Sequence, residues 1–351
     1  MNEMKRRDCL WALLPFLLTA CYKTIDLEEL RTDPKLVINA LAVENDTFRV
    51  ELSRTWFYTD GSPADEELYI SGADVQLYVN DAFRCRLSER DSVYQTEGWT
   101  EDGFGWIDRR YLYYLSDYVP RAGDRLRVVV TKEGFPTAAA EVELPASCPV
   151  SDMQVDIHEV ARDTSEYTIT DSSDVRNIRI TQDCALRFTL NDPPGRNFYL
   201  LYMRANAWED FYGVRWYSML PYCDEEPVFS NRFSALDQIL NEDLNFDYNG
   251  IAFTDELFDG QSYSFNLPWG GTITTPTDKT YFRKQYVVFL YSISESYYNY
   301  MRMLNQLNEG SFTGDLADIG LAEPIRVYSN VEGGTGILGG ACLYRGDFVG
   351  E

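Results

Sequence analysis

The chain has 351 residues, with 56 acidic side chains against 31 basic ones and a formal net charge of −25. Such acidity argues against nucleic acid, whose phosphates need a basic partner surface, and favours solubility and cationic or divalent-metal partners. A single histidine excludes multi-histidine zinc centres, and the length suggests two domains.

At the start, Lys5, Arg6 and Arg7 precede an apolar stretch over residues 10–18, interrupted by Pro15, and then Thr19, Ala20 and Cys21. A basic start, an apolar middle and small residues before a cut are the order of a secretory signal. The stretch is about half of the ~20 residues that a spanning helix needs, so it is not a transmembrane anchor. Leu18-Thr19-Ala20-Cys21 resembles the bacterial lipobox, which makes residues 1–20 a lipoprotein signal peptide and Cys21 the lipidated mature N-terminus. The rival reading, a buried thiol beside a core helix, leaves the basic flank unexplained. Acyl chains, each CH2 contributing about 0.8 kcal/mol when buried, hold a protein to a bilayer without a spanning segment. Tyr22 stands where many inner-membrane lipoproteins carry aspartate, so the expected destination is the outer membrane. Asp26, Glu28 and Glu29 lie further along than surface-export signals place their acids, which leaves the leaflet open, and residues 21–34 read as a tether.

Residues 35–147 follow a period of two. Phe48, Val50 and Leu52 alternate with Arg49, Glu51 and Ser53, and Val75, Leu77 and Val79 alternate with Gln76, Tyr78 and Asn80. "DRLRVVVTK" and "TAAAEVELP" repeat the pattern, the first after Pro120 and Gly123-Asp124 as turn chemistry. Short alternating strands separated by turns predict an immunoglobulin-like sandwich.

"PASCP" over residues 145–149 breaks the pattern and places a boundary before residue 148. In the larger region 148–351, "CALRFTLND", "NFYLLYMRAN", "QSYSFNLPW" and "KQYVVFLYSIS" read as aromatic-rich strands of a second β-domain. One or two short helices interrupt it. "SISESYYNYMRMLNQLNEG" has Ser292 and Glu295 at capping-box spacing, Tyr297, Met301, Leu304 and Asn308 at helical intervals, and Gly310 as a stop. The apolar members of that stripe are expected to pack on a sheet rather than on a ligand. "NRFSALDQILN" reads as the shorter helix. Cys85, Cys148, Cys184, Cys223 and Cys342 cannot all pair and fit no zinc spacing. Disulfide pairing stays open, with Cys184 to Cys223 favoured because both lie in the second half.

With the lipobox, "PKLVINALAV", "SGADVQLYVND", "PRAGDRLRVVV" and "AEVELP" in that order, the chain resembles a Bacteroidota family known as domain of unknown function 4249. "IAFTDELFDGQSYSF" is similar to that family's strand-turn-strand block, and "PIRVYSNVEGGTGILGGACLY" to its closing Ser-Asn and Gly-rich stretch. The resemblance implies an envelope lipoprotein, often encoded beside a TonB-dependent outer-membrane transporter, and supplies no catalytic residues.

The residues themselves offer little for catalysis. His158, in the alternating stretch "SDMQVDIHEVARD", has no flanking nucleophile motif, so a histidine-based hydrolase is not expected. Paired carboxylates could serve a glycosidase, but among so many acids no pair stands out. "EDLNFDYNG" spaces Asp243, Asn245, Asp247 and Asn249 like calcium ligands, yet Tyr248 takes the turn position, Gly250 comes late and Thr254 replaces the closing acid, so a solvated turn is expected. "VEGGTGILGG" lacks the Lys-Ser/Thr end of a phosphate loop, and its glycines are expected in turns or bulges.

Trp99, Phe104 and Trp106 sit among Gly98, Gly103 and Gly105 and read as aromatic rings on a bendable loop. They are the binding candidates, with packing over the sandwich edge as the alternative. The expectation is therefore a mainly β, two-domain outer-membrane lipoprotein, non-enzymatic, with no cofactor and no metal, acting beside a TonB-dependent transporter. A structural or adhesive subunit that donates a strand to its neighbour is the rival.

Overall fold

The computed structural model describes residues 31–57, 60, 68–100, 103–169, 173–210, 213–223, 225–230, 250–276, 285–307 and 327–349. Two units are distinguished: a small one formed by Met1–Pro34 with Trp56–Pro63, and a body formed by the rest. In the small unit the Arg31 guanidinium donates to both Asp60 oxygens at 2.8 and 2.9 Å and lies 4.6 Å from the centre of the Phe57 ring.

The body is mainly β. Its first half contains β1 (Leu36–Val43), β2 (Arg49–Arg54), β3 (Asp74–Val79), β4 (Ala82–Arg86), β5 (Ser88–Thr100), β6 (Gly103–Leu115), β7 (Arg125–Thr131) and β8 (Ala138–Glu143). The second half contains β9 (Val150–Ile169), β10 (Ser173–Asn191), β11 (Phe198–Asp210), β12 (Gly213–Met219), the single-turn α1 (Pro227–Ser230), β13 (Ile251–Thr254), β14 (Ser262–Pro276), β15 (Gln285–Ile293), α2 (Glu295–Leu307), β16 (Val331–Glu332) and β17 (Thr335–Val349).

The alternation read from the sequence is the alternation of burial. Phe48, Val50, Leu52, Leu77, Leu126, Val128 and Val130 are completely buried, while their neighbours in sequence face outward. They form the first core, between β1, β2 and β6 on one side and the five-stranded sheet β16-β8-β7-β3-β4 on the other. This is the expected two-sheet sandwich with one addition: Val331 and Leu338 enter its core from the far end of the chain. The "PRAGD" turn forms as read. Gly123 has φ +76°, and Asp124 accepts bonds from Tyr118 Oη at 2.5 Å and the Arg121 amide at 2.9 Å.

The second core lies between β11, β13 and β15 and the three-stranded sheet β14-β10-β9. It is aromatic, with Phe188 stacked on Phe265 at 4.6 Å and Phe229 of α1 set edge-on to Phe253 at 5.2 Å. The two β-domains share one nine-stranded sheet, in the order β12-β11-β15-β17-β1-β2-β6-β5 with β13 beside β11. Strand β17 joins the halves. Residues 335–341 run parallel to β1, and residues 341–349 run antiparallel to β15. Ala341 belongs to both ladders, opposite Val43 and Ile293.

The glycines of "VEGGTGILGG" serve this junction more than they serve turns. Gly333, at φ +70°, does sit in a turn. At Gly336, with φ +106°, an added Cβ would stand 2.1 Å from the Ile38 carbonyl oxygen, and at Gly339 it would strike the Tyr297 ring at 2.7 Å. Asn330 closes the same corner: its Nδ2 donates to the carbonyls of Leu338 at 2.9 Å and Glu141 at 3.1 Å, while its Oδ1 accepts the Leu338 amide.

Helix α2 covers the outer side of the junction. Of the stripe read from the sequence, Tyr297 packs with Phe198, Ile293 and Ala341, and Tyr298 beside it joins the same cluster. The cap is corrected by two residues. Ser294, not Ser292, precedes the first turn, and its Oγ accepts the amides of Tyr297 at 3.3 Å and Gly340 at 3.1 Å. Ser292 is still in β15, and its hydroxyl donates to the Ser147 carbonyl at 2.8 Å. Asn308, Gly310 and the "NRFSALDQILN" segment lie outside the described residues.

The expected Cys184–Cys223 bond is not formed. Cys184 Sγ lies 3.9 Å from Tyr286 Oη, and the Cys223 thiol donates to the Pro221 carbonyl at 3.2 Å. Burial pushes the Cys148 and Cys342 thiols up to about 12, which keeps them protonated at neutral pH.

Replacing Gly336 with alanine should destabilise the body by about 3 kcal/mol or more, since a left-handed backbone and a clash with β1 act together. Gly123→Ala, also at positive φ but with nothing within 4 Å of the new Cβ, should lose about 1 kcal/mol. Urea denaturation of the two variants checks the contrast.

Candidate functional site

Cys21 and the calcium-like residues Asp243, Asn245, Asp247 and Asn249 lie outside the described residues. Gly250, which follows that loop, sits where an added Cβ would be 2.9 Å from Leu200 Cδ1, so close packing accounts for it. Among the described residues no helix is long and apolar enough to cross a membrane.

Trp99, Phe104 and Trp106 are not on a loop. They belong to the hairpin β5–β6, whose strands pair in unbroken register from Ser88 opposite Leu115 to Thr100 opposite Gly103. Trp99 stands opposite Phe104, and Trp106 opposite Glu97. The glycines suggested a bendable segment, but Val93, Tyr94, Thr96, Ile107, Tyr111 and Tyr113 are strong strand formers and carry the glycines into the ladder. Strand β2 pairs with β6 over three residues, 49–51 against 113–115. Beyond that contact the hairpin continues as a two-stranded ribbon for roughly 30 Å, at about 3.3 Å per residue. Val93 on the ribbon is 64% exposed, and Arg110 forks onto both Asp91 oxygens at 2.8 to 3.1 Å.

The ribbon is rooted in buried tyrosine. Tyr114 is 1% exposed, donates to the Ile70 carbonyl at 2.8 Å and accepts the Ala73 amide at 3.0 Å. Burial holds its phenol up at about 12. Glu89 of β5 takes the Gly72 amide at 2.6 Å and the Ser71 hydroxyl at 2.7 Å.

A second ribbon is formed by β9 and β10. His158 lies on it, exposed and in register with Asp183. Strand β14 supports it as far as Pro276 opposite Asn177.

Sequence reasoning missed a group of three carboxylates. Oxygens of Asp192, Asp255 and Asp259 lie within 4.8 Å of one another, close enough to share a cation. Each is also committed to holding a turn. Asp192 accepts Tyr199 Oη at 2.5 Å and the Gly260 amide at 2.8 Å, Asp255 the Asn197 amide at 2.7 Å, and Asp259 the Gly195 amide at 2.8 Å. "NDPPG" and "TDELFDG" both announce turns in the sequence, but the pairing of β10 with β14 is what brings them together. Asp255 is 1% exposed, and burial, aided by the Asp192 charge, raises its pKa against the pull of the Asn197 donors.

A cleft of about 560 Å³ opens where the two β-domains meet. Its walls are the end of β8 with the 144–147 linker, the 193–198 loop, and the start of α2 with Tyr328. Arg196 crosses it to Glu295 at 3.1 Å.

A carboxyl whose pKa is raised on folding adds stability below its unfolded value, near 4, and loses that contribution as pH rises through the folded value. Asp255→Asn should therefore gain stability relative to wild type as pH climbs from 4 to 7, with the two converging at the acid end. Urea midpoints of both proteins across that range check it.

No curated protein matches the chain. A family model described as domain of unknown function (DUF4249) matches residues 23–342, from just after Cys21 into the closing strand β17. Within that match fall the strand-turn-strand of β13 and β14 and the Asn330 corner with its glycines, and the chain belongs to the DUF4249 family.

Proposed function

We propose that this protein is an outer-membrane lipoprotein, tethered through Cys21, that acts as a non-enzymatic accessory or binding partner of a TonB-dependent transporter. The observation that carries the binding half of this reading is the β5–β6 ribbon. It places Trp99, Phe104 and Trp106 in strands that run past the last sheet neighbour, while its root is locked by Tyr114 and Glu89. Large aromatic residues on a rooted arm suit partner capture, because such residues dominate binding energy at interfaces. The lipobox supports the tether, and residues 21–34 give it length.

The rival, a strand-donating structural subunit, is less well supported. Polymerisation by strand donation needs a removable first strand or a free tail strand, and the closing strand β17 is paired with β1 over residues 335–341 and with β15 over residues 341–349. Here β1 lies inside the sheet between β17 and β2, with Leu36, Ile38 and Ala42 completely buried.

Cys21→Ala should abolish lipidation and release most of the protein from washed membranes, and retention without a protein partner would overturn the tether. Replacing both Trp99 and Trp106 with alanine should weaken capture of the crosslinked partner by about 2 kcal/mol or more while the melting temperature barely moves. If the rings are instead packed, each truncation should destabilise the fold by about 3–5 kcal/mol. Native-membrane crosslinking with mass spectrometry, run beside thermal melts of the same double variant, reads both quantities.

A further inference from the structure

We propose that the apolar pocket between helix α2 and the outer face of the nine-stranded sheet binds a neutral molecule of one aromatic ring bearing a single hydrogen-bonding oxygen, the chemistry of a phenol. Four adjacent strands give the pocket its floor: Leu41 of β1, Ala341 of β17, Ile293 of β15 and Leu200 of β11. The ladders fix their spacing, with Ala341 opposite Ile293 and Leu200 opposite Tyr291. Tyr202, Tyr291 and, from α2, Tyr297 complete the wall.

Size and rigidity select a single ring. The pocket holds about 230 Å³, more than the ~150 Å³ apolar cavity that takes up benzene and less than the ~300 Å³ at which sites for drug-sized ligands begin. Gly250 also lines it, and an added Cβ there would stand 2.9 Å from Leu200 Cδ1, so the missing side chain keeps that end open. The walls are pinned from behind. The Tyr202 ring lies 5.4 Å from that of Phe289, and the Tyr297 ring is seated over Gly339. A preformed site of this kind spends little of its binding energy on ordering itself.

The polar groups select the substituent. Tyr202 Oη is satisfied by Ser218 Oγ at 3.1 Å. The hydroxyls of Tyr291 and Tyr297 have no hydrogen-bond partner among the described residues, and the two phenols lie close enough for one to raise the other. Burial pushes the Tyr297 phenol up to about 12 and raises that of Tyr291, so both are protonated donors at neutral pH. A ligand oxygen accepts from them. No charged side chain lines the pocket, and the charge that acts on Tyr291 is the anion of Asp46. A carboxylate would therefore shed its hydration with no counter-ion to replace it. A quaternary ammonium, the other guest of tyrosine-lined sites, makes no use of the two donors. The pocket requires neither lipid nor transporter, so it stands or falls independently of the function proposed above.

Ligand-detected NMR titrations of the full chain test it with phenol, toluene, benzoate and tetramethylammonium. Phenol should bind saturably, and toluene, which has its shape without the hydroxyl, about fivefold or more weakly. Benzoate and tetramethylammonium should not saturate. Tyr291→Phe with Tyr297→Phe removes two oxygens that bond nothing in the fold, so the melting temperature should hold while phenol affinity falls to that of toluene. Toluene affinity should stay within about twofold in that variant, as should phenol affinity in Tyr113→Phe with Tyr222→Phe, two tyrosines outside the pocket. Absence of saturable phenol binding, equal affinity for phenol and toluene, preference for either ion, phenol affinity unchanged in the first variant, or equal loss in the second would each overturn the proposal.

Discussion

The body depends on one contact: the parallel pairing of β1 with the first half of β17. Strands from the two extremes of the body lie side by side, so neither β-domain is complete until the chain has come round. The first core needs Val331 and Leu338, and the second needs the 341–349 half of the same strand to pair with β15. Gly336 makes the approach to Ile38 possible, and Gly339 makes room for Tyr297 of α2. Because closure joins residues so far apart in sequence, loop entropy must be overcome before the pairing contributes, and the fold is expected to form slowly and as a unit. The cleft, the helix and the 144–147 linker are all fixed by this seam.

Strands with one buried face were legible because burial writes itself into the sequence at period two. Val75 and Leu77, or Val128 and Val130, needed no tertiary knowledge to be recognised. Helix α2 was legible in existence but not in its start. Ser292 and Ser294 are both plausible caps, and the choice was made by β17, which pairs Cys342 opposite Ser292 and holds that residue in strand β15. Glycine was the least legible signal. In "GWTEDGFGW" it gave way to strand formers, and in "VEGGTGILGG" it marked close approaches to elements far away in sequence. The carboxylate group of Asp192, Asp255 and Asp259 was invisible for the same reason, since two local turn signals carry no information about their meeting.

An excess of acid poses a packing problem that the chain solves by giving its buried carboxylates backbone donors. Asp124, Asp192 and Asp255 are all buried, and each accepts at least one main-chain amide at a turn. Hydrogen bonds to a charged acceptor contribute about 1.5–3 kcal/mol each, enough to offset part of the desolvation of the group. Asp255 shows the limit of the device. Its donors from Asn197 do not outweigh burial beside Asp192, and its pKa remains raised. Acids on the ribbons behave differently: Asp91 and Glu159 are exposed and held by Arg110 and Arg162, in pairs that are worth little to stability but fix side-chain positions.

The two ribbons are not equivalent, and under the function proposed above the difference would bear on recognition. A lone pair of strands is marginally stable in water unless something supports it. The β9–β10 ribbon has β14 as a third strand along most of its length, whereas among the described residues β5–β6 has β2 for three residues and then none. Near the body β5–β6 is held by Leu112 and Tyr114 in the first core and by polar bonds: Tyr114 to Ile70 and Ala73, and Glu89 to Ser71 and Gly72. These bonds all lie at the root, and the positions of Trp99, Phe104 and Trp106 lie near the far end of the hairpin. Under the function proposed above, a partner that pairs with or covers this end would supply a third layer to the ribbon. Part of the gain from burying aromatic surface would then be offset by the ordering that any association costs. On that proposal the bonded root would hold the aromatic positions in register before a partner arrives, which an untethered loop would not do.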